Sequence, residues 1–527
     1  MLIYYVIVPI LIAVFLYFFS DKVGRVIAIV AQTLFVLGAL YLLFRTANDG
    51  EIITNAGNFR SFLGIYLMAD TLSAVFVLLS ATVFLFAAIF SINEKRSNLF
   101  WFLLFIWESA LIGLFLTRDI FNIFVMAEVA TVVVAVLLMY DRDRRRIYDG
   151  MIFLMTNVVA VQFYLFGVGY IYMITGRMDM YAAAEVIRGL PPAQVYLAYA
   201  LIMTGIAFKC ALLPLSSWFV KVSAVPRAPI AIATVLSALH VKGGIYLFIR
   251  FQGLFGEVVP SEFYVVIGVI TGIIGVVMAL SQKDIMLILA YSSVAQIGLI
   301  IVALNMHSAY AFGGALYHIV NHAIFKAALF FGAGMISEAY GTRDISRIRG
   351  AWRRSQSFTI AQGFAVLGII GAPFFNGSIS KYFMTTDANM PLTIAMVAIN
   401  FGTVLVYLKY SLIFCGKPST DRPYLVDRCG HAVVIVLGGL CLVFGIFGRW
   451  LANFLFGLDM QISAWGYAQK AFIFAISLGV GLVVARYASG VNRLLERLGI
   501  RINFGFREIC TSIGVFFGIV LVVAAFF

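Results

Sequence analysis

Apolar runs of about 20 residues, the length that crosses a hydrocarbon core, recur along almost the whole of this chain. The first, "LIYYVIVPILIAVFLYFF", begins at residue 2. Of the 527 residues, 63% are hydrophobic and only 12% charged, about half the charged share of a soluble domain. Transmembrane β-strands are excluded, because they alternate apolar and polar residues over segments of about 10. The expected fold class is an all-α polytopic membrane protein.

Sixteen spans are expected. Two are irregular: span 7 (195–220) is interrupted by "LLPLSSW" and span 12 (357–384) by "GAPFFNG". Pro214 and Pro373 each remove a backbone donor there. Broken helices at membrane depth are tolerated only inside protein or beside a hydrated cavity. The interrupted spans lie five apart, so spans 4–8 and 9–13 would have opposite orientation, as an inverted repeat requires. The first span has no basic residue before it and no small-residue cleavage site after it, and it reads as a retained helix.

Loops after odd-numbered spans hold most of the 37 Lys and Arg, the densest being "DRDRRR" (141–146) and "GTRDISRIRGAWRRS" (341–355). By the positive-inside rule these loops face the cytoplasm and both termini lie outside. The net charge of +13 is thereby assigned to orientation rather than to nucleic acid. Cys210, Cys415, Cys429, Cys441 and Cys510 are scattered, with neither CxxC nor metal spacing.

Against this background several titratable residues are out of place. Glu108, Glu128, Lys209, Lys242, Lys326 and Lys381 fall within spans, as do His240, His318 and His322. In "HIVNHAIFK" (318–326) two histidines and a lysine stand at i, i+4 and i+8, one stripe of a helix. A charge at mid-membrane costs about 2.5–3.5 kcal/mol on insertion scales, so six cost on the order of 15–20 kcal/mol, comparable to or above a domain's net stability of ~5–15 kcal/mol. Plainer readings exist for each residue: a static Glu128–Lys209 pair, an interfacial Lys242, histidines bonding neighbouring helices, a snorkelling Lys381. Together they would require many independent penalties with no use. A buried lysine whose proton affinity depends on a nearby carboxylate, with histidines as relay stations, gives those penalties a purpose.

Three segments resemble one family. "FKCALLPLSSWFVKVSAVPRAP" (208–229) followed by "SALHVKGGIYLFIRF" (237–251), "QKDIMLILAYSSVAQIGLI" (282–300) and "HIVNHAIFKAALFFGAG" (318–334) look like the hallmark segments of antiporter-like subunits, and "AEVATVV" and "GSISKYF" fit the same pattern. That family is shared by Mrp-type multisubunit cation/proton antiporters, membrane-bound hydrogenases and respiratory complex I. The resemblance implies a fourteen-helix core with two inverted five-helix repeats and discontinuous helices 7 and 12, here followed by about two extra C-terminal helices. The corresponding divisions are 1–97, 98–251, 262–415 and 416–527. It implies that Glu128 and Lys209 form an interacting carboxylate–lysine pair and that Lys242 connects onward. His318, His322 and Lys326 would be a central relay, and Lys381 a terminal residue exchanging protons with one aqueous side. The chain departs from the common pattern at Ser216, where members often carry histidine, and at Lys221, where they are often acidic. The link 489–508 is too short for a complex-spanning strut: as a helix it measures at most about 30 Å. It reads as a short interfacial helix.

The function expected is proton translocation, with Na+ exchange as an open addition, by a subunit embedded in the cell membrane among other membrane subunits. No cofactor is implied, since the chain has no GxGxxG after a strand, no P-loop and no cysteine ligand set. It would do no chemistry of its own, although the complex could be redox-driven. A quinone-binding subunit and a non-transporting scaffold are the competing readings.

Overall fold

Every expected span becomes helix. A computed structural model describes residues 1–57, 64–94, 96–141, 143–225, 228–420, 427–458, 460–487 and 504–526. Among these residues thirteen helices are long and apolar enough to cross a membrane, and Ile3–Phe18, Tyr196–Lys209 and Gln356–Ile370 are shorter apolar helices. The chain is a multi-pass membrane protein. The interfacial helix expected within 489–508 lies, but for its last residues, outside the described residues.

The helices fall into two compact units. The first comprises Met1–Val235, Leu239–Pro260 and Asn503–Phe527. It begins with α1 (Ile3–Phe15) and α2 (Asp21–Asp49). An antiparallel hairpin of β1 (Ile52–Ala56) and β2 (Ile65–Ala69), in register Ile52 to Ala69, leads into α3 (Thr71–Ser91). Then follow α4 (Asn98–Leu116), α5 (Ile120–Leu138), α6 (Arg144–Thr175), α7 (Met180–Ile187), α8 (Tyr196–Lys209) and α9 (Ser217–Ser223). Helix α10 (Ile230–Val235) passes through a π turn at Leu236–His240 into α11 (Val241–Phe255). Such turns insert a residue into the helical ladder and occur often at functional sites.

The second unit comprises Leu236–Ala238 and Ser261–Ile502. Its helices are α12 (Ser261–Ser281), α13 (Ile285–Leu304), α14 (Ala309–Tyr340), α15 (Ala351–Arg354), α16 (Gln356–Ile370), α17 (Asn376–Met384), α18 (Met390–Ser411), α19 (Arg428–Ile446), α20 (Gly448–Phe456) and α21 (Ala464–Tyr487). The last helix, α22 (Phe506–Phe526), belongs to the first unit, where it packs on α6 and α8 and Phe517 meets Phe163 at 5.4 Å.

The same local design appears twice. In the first unit Asp119 caps α5 and bridges to Asp179, with Ile120 N–H bonded to the Met178 carbonyl and Met180 N–H to that of Arg118. In the second, Asp284 caps α13 and bridges to Asp344, with Ile285 N–H on Arg343 and Ile345 N–H on Lys283. Between the bridging residues each unit places a short spanning helix and then one of 32 residues, α6 or α14. A broken helix follows in both, α8–α9 in one and α16–α17 in the other.

The breaks have local causes. Helix α8 stops at Lys209 and the chain turns through Ala211, at φ 56°, before Pro214. Helix α16 stops at Gly371, φ 79°, and the chain passes Phe374 at φ 70°. A left-handed residue cannot continue a right-handed helix, and proline offers no donor to do so. The carbonyls orphaned by each break need partners. At the first break the Phe208 carbonyl is taken by Ala211 N–H at 2.9 Å, and the indole N–H of Trp218 of α9 donates to it as well, at 2.8 Å. In the second break Lys381 of α17 donates to the Ile369 carbonyl, at 2.7 Å.

Candidate functional site

All nine residues singled out from the sequence lie in helices or in the π turn, and eight of them are buried. Five lie in the first unit and four in the second.

In the first unit Lys209 is the last residue of α8, at the break, and its side chain is buried. Its Nζ donates to Thr131 Oγ1 at 2.7 Å and to Asn157 Oδ1 at 3.0 Å. Among the described residues no ion pair joins it to Glu128. Glu128 is half-buried, and its buried Oε1 makes no hydrogen bond. Thr131 stands three residues after Glu128 on the same face of α5, so a hydroxyl occupies the direct contact that the pair was expected to make. Lys209 also lines a cavity of about 10 Å³ with Ile123, Val161 and Tyr164, roughly the space one water molecule needs.

Helix α11 comes close to this break because of one glycine. A Cβ on Gly244 would lie 2.5 Å from the Lys209 carbonyl carbon and 2.6 Å from the Cys210 nitrogen. Two residues before it, Lys242 is completely buried. His240 ends the π turn, and its Nδ1 accepts a hydrogen bond from Trp107 Nε1 at 3.2 Å. A neutral His240 therefore carries its proton on Nε2. Trp107 precedes Glu108 on α4. Glu108 is completely buried, and its Oε2 accepts from Gln32 Nε2 of α2 at 2.5 Å.

In the second unit the stripe expected from "HIVNHAIFK" runs along α14, and His318, His322 and Lys326 are all fully buried. Gln296 fixes the state of His318. Its amide nitrogen donates to Thr403 Oγ1 at 3.1 Å, which leaves its carbonyl oxygen facing His318 Nε2 at 3.1 Å. That nitrogen must carry a proton. The other, Nδ1, faces Ser380 Oγ at 2.8 Å. A serine hydroxyl can donate or accept, so rotating it lets the ring be neutral or charged without losing either bond. The His322 ring lies 6.2 Å from that of His318 and meets Phe325 edge-on at 5.4 Å.

Lys326 Nζ donates to the Leu289 carbonyl at 2.8 Å, to Ser292 Oγ at 2.5 Å and to Tyr407 Oη at 3.3 Å. Ser292 and Tyr407 are themselves 3.0 Å apart. The three acceptors match the three donors of an ammonium group. Lys381 is buried on α17, held by the Ile369 carbonyl. The positions at which the sequence departed from pattern also have partners: Lys221 lies 3.7 Å from Asp149 and 5.3 Å from the Tyr148 ring, while Ser216 is buried at the start of α9.

Residues 117–406 match the family model described as "NADH:quinone oxidoreductase/Mrp antiporter, TM". The chain belongs to this antiporter-like family. It is 29% identical over 414 residues to a Na(+)/H(+) antiporter subunit of Alkalihalophilus pseudofirmus, covering 76% of this chain and 84% of that one. It is 30% identical over 363 residues to an NADH-quinone oxidoreductase subunit of Desulforudis audaxviator, covering 65% and 71%. Its fold matches a chain in the structure of the Mrp complex from Dietzia sp. with a TM-score of 0.80 at 21% identity, over 94% of this chain and 99% of that one. The all-α antiporter-like fold expected from the sequence is the fold observed.

Neutral residues surround these buried charged groups. Thr131, Asn157, Ser292, Gln296, Ser380, Tyr407 and Gln32 carry no charge, so a search for charges inside spans passes over them. Of these only Thr131 had a signal, its helical spacing from Glu128.

Proposed function

We propose that this chain is a proton-translocating subunit of a multisubunit membrane complex, and that it exchanges H+ for Na+. Protons move by way of Glu128, Lys209, His240 and Lys242 in the first unit and His318, His322, Lys326 and Lys381 in the second, with Glu108 as a further proton-binding group. One observation carries the reading. Lys209 and Lys326 are buried in spanning units and held by neutral oxygens, bonds that either protonation state of an amine can rearrange to satisfy. A buried charge held without a paired counter-charge is costly, and a lysine that can shed its proton escapes that cost. The similarity to a Na(+)/H(+) antiporter subunit favours sodium as the exchanged ion. Residues 98–251 and 262–415 are the proposed five-helix repeats, and the basic loops favour both termini outside.

The test is Lys209→Ala and Lys326→Ala in the assembled complex reconstituted in vesicles. Either substitution should abolish proton flux while the complex stays intact. Full flux in both would mean a scaffold.

A second reading is favoured by the 30% identity to an NADH-quinone oxidoreductase subunit. On that reading the same proton path is driven by electron transfer in partner subunits. Gentle purification with identification of co-purifying subunits and an iron assay separates the two. Iron–sulfur partners mean a redox pump, and small iron-free membrane partners mean an antiporter.

A further inference from the structure

Glu108 and Gln32 face each other across α4 and α2 with one hydrogen bond formed, Gln32 Nε2 to Glu108 Oε2 at 2.5 Å. Their remaining oxygens, Glu108 Oε1 and Gln32 Oε1, are both buried and neither has a hydrogen-bond donor. Both residues are completely inaccessible to solvent. If Glu108 were ionised, each of these oxygens could only accept, and a bare carboxylate would sit in an apolar interior.

Nothing charged offsets it directly. Among the described residues no cation forms an ion pair with Glu108. The elements packed on α4 include α1, α2, α3, α5, α11 and β2. Helix α1 brings Tyr4 and Tyr5, and the Tyr5 hydroxyl donates to the Gly38 carbonyl. Helix α2 has its charges, Asp21, Lys22, Arg25, Arg45 and Asp49, towards its ends, and Arg25 is bonded to the Asp21 and Ile92 carbonyls. Its one further titratable group is Tyr41. Helix α3 has no titratable side chain, and β2 has only Tyr66. Helix α5 brings Glu128, a like charge, and α11 brings Lys242, Tyr246 and Arg250, the last engaged with Asp70.

We propose that Glu108 carries a proton in the resting protein and closes a two-hydrogen-bond ring with Gln32. A proton on Oε1 turns that oxygen into a donor, and the acceptor waiting opposite is Gln32 Oε1. The amide gives N–H to the acid and the acid gives O–H to the amide, so every polar atom of both groups is used. Gln32 is then a positioning residue for the proton on Glu108. Releasing that proton leaves a carboxylate on α4 and an amide oxygen with no donor, so the proton leaves only when something else serves the pair. Glu108 lies next in sequence to Trp107, whose indole holds His240, which puts this proton store beside the first unit's relay. The inference deepens the proposed translocation, but the protonation state is a property of the pair and would stand if the chain proved to be a scaffold.

Infrared difference spectroscopy of the full-length protein in lipid vesicles tests it. At neutral pH the wild type should show a protonated-carboxyl C=O stretch above the amide envelope. The band should be lost in Glu108→Gln, kept in Glu128→Gln, and displaced to higher frequency in Gln32→Leu, where the acid loses its amide partner. If Gln32→Leu does not fold, Gln32→Asn, which withdraws the amide by one methylene, should displace the band likewise. Absence of a Glu108 band at neutral pH overturns the proposal. So does a band that neither Gln32 substitution moves, or one that appears only when Na+ is removed, which would make the two oxygens a cation site. Loss of proton flux in Lys209→Ala has no bearing on any of these outcomes.

Discussion

Lys381 Nζ lies 2.7 Å from the carbonyl oxygen of Ile369, so a lysine from the second half of a broken helix closes the open end of the first. The end of a helix carries about half a negative charge together with unpaired carbonyls. A cation there is stabilised without a carboxylate. At the first break the neutral indole of Trp218 donates to the Phe208 carbonyl, which also accepts from Ala211 N–H. A neutral donor stays where it is. An amine can give up its proton, and its bond to the helix end weakens when it does.

Lys381→Met should therefore lower proton flux and destabilise the protein by about 1.5–3 kcal/mol, the contribution of a hydrogen bond from a charged group. Lys381→Arg should recover most of the stability but not the flux, because arginine does not release its proton. Thermal unfolding in detergent and pH-gradient dissipation in vesicles separate the two effects.

Thr131→Val removes one of the acceptors holding Lys209 with little change in volume. The expected loss is about 1–2 kcal/mol at the lysine, seen as a fall in proton flux of roughly tenfold. Combined with Glu128→Gln it should be non-additive, since Glu128 and Thr131 share a helix face beside one lysine. Additive losses in flux would show that Glu128 acts independently of this cluster.

Gly244→Ala should be severe. Its Cβ would fall within 2.7 Å of the Lys209 and Cys210 backbone, where no flexible side chain can yield, so α11 must move away from the break at a cost of about 1–3 kcal/mol or more. Gly253, on the same helix, has nothing within 4 Å of its Cβ position. Gly253→Ala should be neutral or stabilising by up to about 1 kcal/mol. Melting temperatures of the two variants are the check.

Acid stability should depend on Asp70. It caps α3 through Ser73 N–H and is held by both Nη atoms of Arg250 at 2.6 and 2.7 Å. Burial pushes its carboxyl up, but the Arg250 guanidinium and the Ser73 bonds outweigh this and hold it below the usual carboxylate value. A depressed folded value means that the contribution is complete above the unfolded value, about pH 4, and is lost as pH falls through the folded one. Asp70→Asn should lower the melting temperature at pH 7 and flatten its decline below about pH 4. An unchanged acid profile would remove Asp70 from the account.

Much of this was legible beforehand. The apolar runs gave the spans because backbone in lipid has to satisfy itself. Pro214 and Pro373 marked the two breaks because proline cannot continue a helix. The stripe from His318 to Lys326 was visible because helical spacing puts i, i+4 and i+8 on one face. The neutral partners were not legible: Gln296, Tyr407 and Asn157 resemble any polar residue in a span until a neighbouring helix brings them within 3.3 Å of a charged one.

The sequence by itself therefore determined which residues are forced into the membrane, where the helices must break and which charges need a use, because these follow from hydropathy, period and proline chemistry along one segment. Only the tertiary structure decided that Lys209 rests on Thr131 and Asn157 rather than on Glu128, that Lys381 closes the helix end at Ile369, that Glu108 meets Gln32 across two helices, and that α22 returns to pack on α6 and α8. Each is a contact between separate helices, fixed by side-chain shape and the need to pair every buried polar atom, and no pattern along one helix encodes it.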